Sequence, residues 1–308
     1  MVFAGSASQE LATAICQHLS VDLGHIESRK YYNDDTFVRI GENVRESDVF
    51  VVQTSCPPVN DHLMELLMIV NALKGASAKR VTAVLPHFPY QQSDKKDQPR
   101  ICITAKLAAD MLTTAGADRV LTLDLHAAQI QGFFDCPVDH LTAVPILCDY
   151  FAEQEIPDLV AVATDVGRAN LVRRYARRLN VPLAIVDKQR LSEVKVRALH
   201  VIGEVVGKNA IVFDDLIGTG GSLIEAGRIL SEHGVKDVYA GAVHGVLADD
   251  AVARLEQSTY RQIVVTDSIP ICHKLGPDTK FRVLSVAGLL AKAIRRIHEG
   301  ESVSALFV

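Results

Sequence analysis

Short apolar runs rich in β-branched residues alternate along this chain with segments whose apolar residues recur at helical spacing. That alternation predicts βα units feeding a mainly parallel sheet flanked by helices, an α/β fold. The run Val81–Leu85 follows a segment in which Leu63, Leu66, Leu67, Val70 and Leu73 share one helical face. Asp61 is placed to cap the start of that helix and Gly75 to stop it. The same punctuation recurs at Gly116 before Val120–Leu123 and at Gly234 before Val238–Ala242, which predicts two related α/β halves. One series of strands ends at His126 and another starts at Leu159, so the passage between halves is expected at Thr142–Pro145, dividing the chain into 1–143 and 144–286. A last helix, near Val286 to His298, follows the Pro-containing stretch Ser268–Pro277. The segment 287–308 can pack back on either half, with the first a possible host.

Composition narrows the partners. The chain has 308 residues, enough for two cores of ordinary size, and 48% of them are apolar. A formal net charge of −5 argues against nucleic acid as the main partner. Arg173, Arg174, Arg177 and Arg178 do cluster, but their spacing among Leu171, Val172, Tyr175 and Leu179 reads as the solvated face of an amphipathic helix. Six cysteines without C-x-x-C spacing predict reduced thiols and no zinc site. No apolar run is long enough to cross a bilayer and the N-terminus lacks a signal-peptide pattern, so a cytoplasmic protein with no membrane partner is expected.

The stretch richest in chemistry is Ile211 to Ser222. An apolar strand runs into Asp214-Asp215 and then into the turn Gly218-Thr219-Gly220-Gly221-Ser222, which opens a helix. Backbone N–H groups at a helix N-terminus can cradle a phosphate without a charged side chain. Two carboxylates just upstream can accept hydrogen bonds from a vicinal diol or reach a phosphate-bound Mg²⁺. The plainer reading of such a turn is a solvated loop with an N-cap. Three more segments qualify. Pro86 to Asp97 is a polar loop after a buried strand, where α/β proteins place ligands. Asp124 and His126 end a strand. Lys188 and Arg190, two cations one residue apart after the expected strand Leu183–Val186, suit a mobile loop that neutralises charge in phosphoryl transfer, although surface cations would look the same.

Taken together these segments resemble the ribose-phosphate pyrophosphokinase family over essentially the whole chain. The likeness rests on Phe88-Pro89-Tyr90 through Asp94-Lys95-Lys96-Asp97, on Ala115-Gly116-Ala117-Asp118, on Asp124-Leu125-His126-Ala127 through Gln129-Ile130-Gln131-Gly132-Phe133-Phe134-Asp135, and on Ala293-Ile294-Arg295-Arg296 through Gly300-Glu301-Ser302-Val303-Ser304. Phosphoribosyltransferases share only the sugar-phosphate loop. The resemblance implies two phosphoribosyltransferase-like domains, with the first on the ATP side and in the oligomer contacts. It also implies transfer of pyrophosphate from MgATP to the 1-hydroxyl of ribose 5-phosphate. Carried over to matching positions, His126 and Asp165 take the metal, and His126, Lys188 and Arg190 are catalytic. Tyr31, Asn33, Asp35, Gln92, Ser93, Asp97 and His126 bind ATP, while Asp214, Asp215, Gly218, Thr219, Gly220, Gly221 and Ser222 bind ribose 5-phosphate. The implied assembly is a homo-oligomer, a hexamer in this family, in which a neighbouring subunit supplies Tyr31, Asn33 and Asp35. Arg45 and Arg100 match a possible allosteric anion site, or serve as ordinary interface ion pairs.

The chain departs from the family pattern at several places. Gln92 replaces a common Arg beside the ATP phosphates, and Gly218 replaces an Asp of the sugar-phosphate loop. Arg168, Ala169, Asn170 and Leu171 follow Asp165-Val166-Gly167 where a second glycine and basic residues are usual, so Arg168 either restores lost charge or blocks the pyrophosphate pocket. Tyr31 and Asp35 stand for Phe and Glu. These changes keep two alternatives open: a catalytically weak regulatory homologue that co-assembles with an active synthetase, and a phosphoribosyltransferase.

Overall fold

A computed structural model describes residues 1–189 and 198–306. The chain divides into two compact units. The first holds Met1–Thr142, Ser268–Pro270 and Ser285–Val308, and the second holds Ala143–Asp267 and Ile271–Leu284.

In the first unit β1 (Val2–Ala4) leads to α1 (Gln9–Leu19), β2 (Leu23–Gly24), and a hairpin of β3 (Ile26–Lys30) and β4 (Thr36–Ile40). Then come β5 (Asp48–Val52), α2 (Val59–Gly75), β6 (Arg80–Leu85), α3 (Thr104–Ala115), β7 (Arg119–Leu123) and β8 (Val138–Leu141). Six strands form one sheet in the order β2-β1-β5-β6-β7-β8, every pair parallel. Val49, Val51, Val81, Ala83 and Val120 are fully buried, which is why these strands read as continuous apolar runs rather than alternating ones. The face of α2 carries Leu66, Leu67, Val70 and Leu73 into that core.

The second unit runs through α4 (Val144–Ala152), β9 (Leu159–Ala163), α5 (Ala169–Leu179), β10 (Leu183–Gln189), β11 (Ala198–Ile202), β12 (Asn209–Ile217), α6 (Gly221–Glu232), β13 (Val238–Gly245), α7 (Ala251–Glu256), β14 (Tyr260–Thr266) and β15 (Phe281–Leu284). Its seven strands lie in the order β11-β10-β9-β12-β13-β14-β15, parallel except for the antiparallel β10–β11 edge. Tyr175 of α5 stacks on Phe213 of β12, with ring centroids 4.0 Å apart, and fixes helix against sheet. The arginines of α5 point outward, as amphipathic spacing predicts: Arg173, Arg174, Arg177 and Arg178 are exposed while Val172, Tyr175 and Ala176 are buried. The final helix α8 (Ala287–Glu299) belongs to the first unit and packs on α1.

Three boundaries differ from the sequence reading. Pro58, not Asp61, is the N-cap of α2, and Asp61 sits within its first turn, where a carboxylate favours the positive end of the helix dipole. Gly75 is the last residue of α2 rather than the residue that ends it. Strand β10 continues past Val186 to Gln189 because β11 returns antiparallel and pairs Lys188 with Leu199. Lys188 therefore lies on a strand, not in a loop after one. The β3–β4 hairpin was not foreseen. All six cysteines are free thiols, and no helix among the described residues is long and apolar enough to cross a membrane.

Candidate functional site

Strand β12 is buried through Asn209–Phe213 and emerges at Asp214. With neighbours β9 and β13 parallel on either side, the acidic pair is delivered to the carboxyl edge of the sheet, where parallel α/β folds place ligands. Beyond it, the carbonyls of Ile217 and Gly218 accept from the N–H groups of Leu247 and Ala248, so the turn is tied to the loop after β13. Gly220 caps α6 with φ +75°, and a Cβ there would sit 3.1 Å from Leu255. Only glycine meets both demands without strain. Gly218, by contrast, faces open space, and Thr219 and Ser222 are exposed. The result is an unobstructed turn whose N–H groups open a helix of 12 residues.

The carboxylates are held in a tight set of partners. Asp214 accepts from the Thr164 hydroxyl at 3.1 Å and from the Asp215 N–H at 2.9 Å. Arg168 bridges the pair: Nε lies 3.1 Å from Asp214 Oδ1 and Nη1 lies 3.1 Å from Asp215 Oδ2. Burial, reinforced by the Asp215 carboxylate, pushes the pKa of Asp214 up to about 7 against the opposing pull of Arg168. The backbone N–H of Arg168 donates in turn to Asp165 Oδ1 at 3.0 Å, so Asp165 caps the short 3-10 turn 166–168. The structure thus brings Asp165, Asp214, Asp215 and the turn 218–222 to one end of one sheet. The side chain of Arg168, expected either to restore charge or to block the pyrophosphate pocket, turns onto the acidic pair. Thr164 gave no signal in the sequence, because a lone Thr at a strand end is unremarkable without its partner.

The remaining predicted residues, Lys188 and Arg190 apart, lie in the first unit. His126 follows β7 in a turn opened by Asp124 at φ +37°, and it is half-buried. Three side chains hold that turn, buried at Gln91 and Thr142 and half-buried at His140: Gln91 accepts from the His126 N–H at 3.0 Å, His140 Nε2 accepts from the Leu125 N–H at 2.8 Å, and the Thr142 hydroxyl donates to Asp124 at 2.7 Å. Accepting at Nε2 makes His140 neutral here. Gln91, His140 and Thr142 were not singled out from the sequence. Gln92 and Asp97 are exposed on the loop 86–103, where the N–H of the half-buried Ser93 donates to Tyr90.

Tyr31, Asn33 and Asp35 sit at the exposed end of the β3–β4 hairpin. The Tyr31 N–H donates to the Asp35 carbonyl at 2.8 Å and the Asn33 amide to the Asp35 carboxylate at 2.5 Å. The guanidinium of Arg29 lies 4.8 Å from the Tyr31 ring centre and 4.5 Å from that of Phe37, a cation–π arrangement that braces the aromatic pair. Arg45 and Arg100 are both exposed, the latter at φ +66°. His126 and Asp165 belong to different units. Among the described residues no group of three or more His, Cys, Asp or Glu is gathered to hold a metal. Lys188 is placed on β10 by its backbone, and Arg190 lies outside the described residues.

Residues 1–116 match the model of the N-terminal domain of ribose phosphate pyrophosphokinase, and residues 188–308 match that of the phosphoribosyl synthetase-associated domain. The chain is 48% identical over 307 residues to a ribose-phosphate pyrophosphokinase of Agrobacterium fabrum, covering 99% of both proteins. It is 47% identical, also over 307 residues, to one of Caldanaerobacter subterraneus subsp. tengcongensis, covering 99% of this chain and 97% of the relative. The crystal structure of phosphoribosylpyrophosphate synthetase from Mycobacterium smegmatis superposes with a TM-score of 0.92 at 44% identity, covering 97% of this chain and 99% of that one.

Proposed function

Because the chain belongs to the ribose-phosphate pyrophosphokinase family, we infer that its acidic pair and glycine turn hold the ribose 5-phosphate that this activity consumes. The enzyme transfers the pyrophosphoryl group of ATP to the 1-hydroxyl of ribose 5-phosphate, giving 5-phosphoribosyl 1-pyrophosphate and AMP. The observation that carries the site assignment is the delivery of Asp214 and Asp215, by a buried strand, directly ahead of an open helix N-terminus.

In this reading the N–H groups of Thr219 to Ser222 take the 5-phosphate, and Asp214 and Asp215 accept from the 2- and 3-hydroxyls. Anchored at both ends, the sugar presents its anomeric hydroxyl to the β-phosphorus of ATP, and positioning replaces a covalent intermediate. Tyr31 stacks on adenine, Asn33 and Asp35 contact its edge, and Gln92, Ser93 and Asp97 line the phosphate path. Lys188 and Arg190 supply positive charge where negative charge builds up on the transferred group. The hairpin serves a neighbouring subunit, so the working form is a homo-oligomer, a hexamer, in the cytoplasm. Arg45 and Arg100 serve an anion site between subunits.

Mg²⁺ fits the donors present. Asp165 is an exposed hard oxygen donor anchored to the backbone, and Mg²⁺ takes one or two protein ligands beside substrate phosphates and water. In the family pattern Asp165 and His126 are the metal residues, and Mg²⁺ bound at Asp165 would neutralise phosphate charge during transfer.

The test is the purified chain alone with MgATP and ribose 5-phosphate, with and without inorganic phosphate, following AMP and phosphoribosyl pyrophosphate together. Equal amounts of both are expected without any nucleobase present. A folded protein that forms neither would instead support the regulatory homologue.

A further inference from the structure

The acidic pair already carries a cation of its own chain. Arg168 leaves the turn ahead of α5 and lays one planar group across both carboxylates, at 3.1 Å to each. A lysine ammonium cannot span two acceptors in this way. The set is sheltered: the side chains are 22% exposed at Arg168, 14% at Asp214 and 5% at Asp215. The root of the arginine is fixed, since its N–H donates to both the side chain and the carbonyl of Asp165. Only the guanidinium end is left to move. A hydroxyl approaching Asp214 Oδ1 or Asp215 Oδ2 therefore meets an N–H donor already in place.

We propose that Arg168 determines sugar specificity: its fork across Asp214 and Asp215 yields to a sugar phosphate bearing both hydroxyls of the cis-diol, and thereby excludes 2-deoxyribose 5-phosphate. This rests on the reading of the pair as the sugar site. Releasing the fork takes a charge-assisted hydrogen bond from each of two sheltered carboxylates, a loss that the sugar hydroxyls must offset. Ribose brings one hydroxyl for each carboxylate. The 2-deoxy sugar brings one hydroxyl for two, so one sheltered carboxylate gives up its charged donor with nothing in exchange, and such an uncompensated loss discriminates strongly against an analogue that lacks a hydroxyl. Without the guanidinium there is no fork to release, and the two sugars differ by a single hydrogen bond.

The test is calorimetric titration of ribose 5-phosphate and 2-deoxyribose 5-phosphate into the full chain, into Arg168→Met and into Arg168→Lys. The wild-type chain is expected to prefer ribose 5-phosphate by about 100-fold or more, and Arg168→Met by about 10-fold, the worth of one hydrogen bond to a charged group, with Arg168→Lys between them. An unchanged ratio in variants that still bind ribose 5-phosphate overturns the proposal and leaves the sugar site standing. A folded wild-type chain that binds neither sugar overturns the sugar site and this proposal with it. If Arg168→Met does not fold, Arg168→Lys decides, since a ratio equal to that of the wild type counts against the fork.

Discussion

At Asp214, burial and the carboxylate of Asp215 raise the pKa to about 7, and this carries a sign for stability. The native state keeps a proton that the unfolded chain gives up near pH 4. The group therefore favours the fold below about pH 4, and that contribution is lost progressively as pH rises towards 7. Asp214→Asn cannot ionise and loses nothing over this window. Between pH 5 and pH 8 the melting midpoint of the wild type should fall by several degrees relative to that of Asp214→Asn in paired thermal scans. Parallel curves would show that Arg168 holds Asp214 ionised throughout. The acidic pair was legible as a motif, since both carboxylates stand together beside an apolar strand. Its counter-ion was not, because Arg168 and Asp215 are 47 residues apart and meet only once two strand ends are adjacent.

Among the elements, the β3–β4 hairpin shows most plainly how a piece unseen in the sequence is secured. Glu65 of α2 is a buried carboxylate, 4% exposed, held by uncharged donors. It accepts from the Ser6 N–H at 3.0 Å, the Ser6 hydroxyl at 2.6 Å, the Gln53 amide at 2.6 Å and the Ser28 hydroxyl of β3 at 2.5 Å. These donors offset the loss of water that would otherwise make a buried carboxylate costly. Glu65→Ala strands them and leaves a void, so a loss of about 2–4 kcal/mol is expected in urea denaturation. Faster amide exchange over 26–40 should accompany it, because Ser28 is tied to α2 through this residue. Unchanged exchange there would mean that apolar packing alone seats the hairpin. Nothing in the sequence marked Glu65, which sits amid the apolar positions of a helix and looks like an intruder until its donors are known.

For the whole molecule, the site links to stability through mass action. A ligand that binds only the folded chain, supplied at about 100 times its dissociation constant, stabilises it by about 2.7 kcal/mol. Ribose 5-phosphate should thus raise the melting midpoint of the wild type. Asp215→Asn, which removes one arm of the proposed diol site, should show little or no shift at the same concentration. An equal shift in both would place the sugar elsewhere on the chain. Hydrogen exchange can locate the effect, with protection expected over 214–222 in the second unit.

The sequence by itself determined the α/β class and the apolar strands, since a segment such as Ile211-Val212-Phe213 is buried on both faces and has no polar residue to spare. It also determined the turn proposed to hold the sugar phosphate, whose glycines and carboxylates are neighbours along the chain. Spacing, capping and local charge are written within a few residues, so they can be read without knowing the fold. Only the tertiary structure decided that Lys188 lies in a ribbon, that α8 joins the first unit, that Gln91 and His140 brace the His126 turn, and that Arg168 spans the acidic pair. Each of these joins residues far apart in sequence, and such pairings exist only after strand order and helix packing have brought the partners within hydrogen-bonding reach.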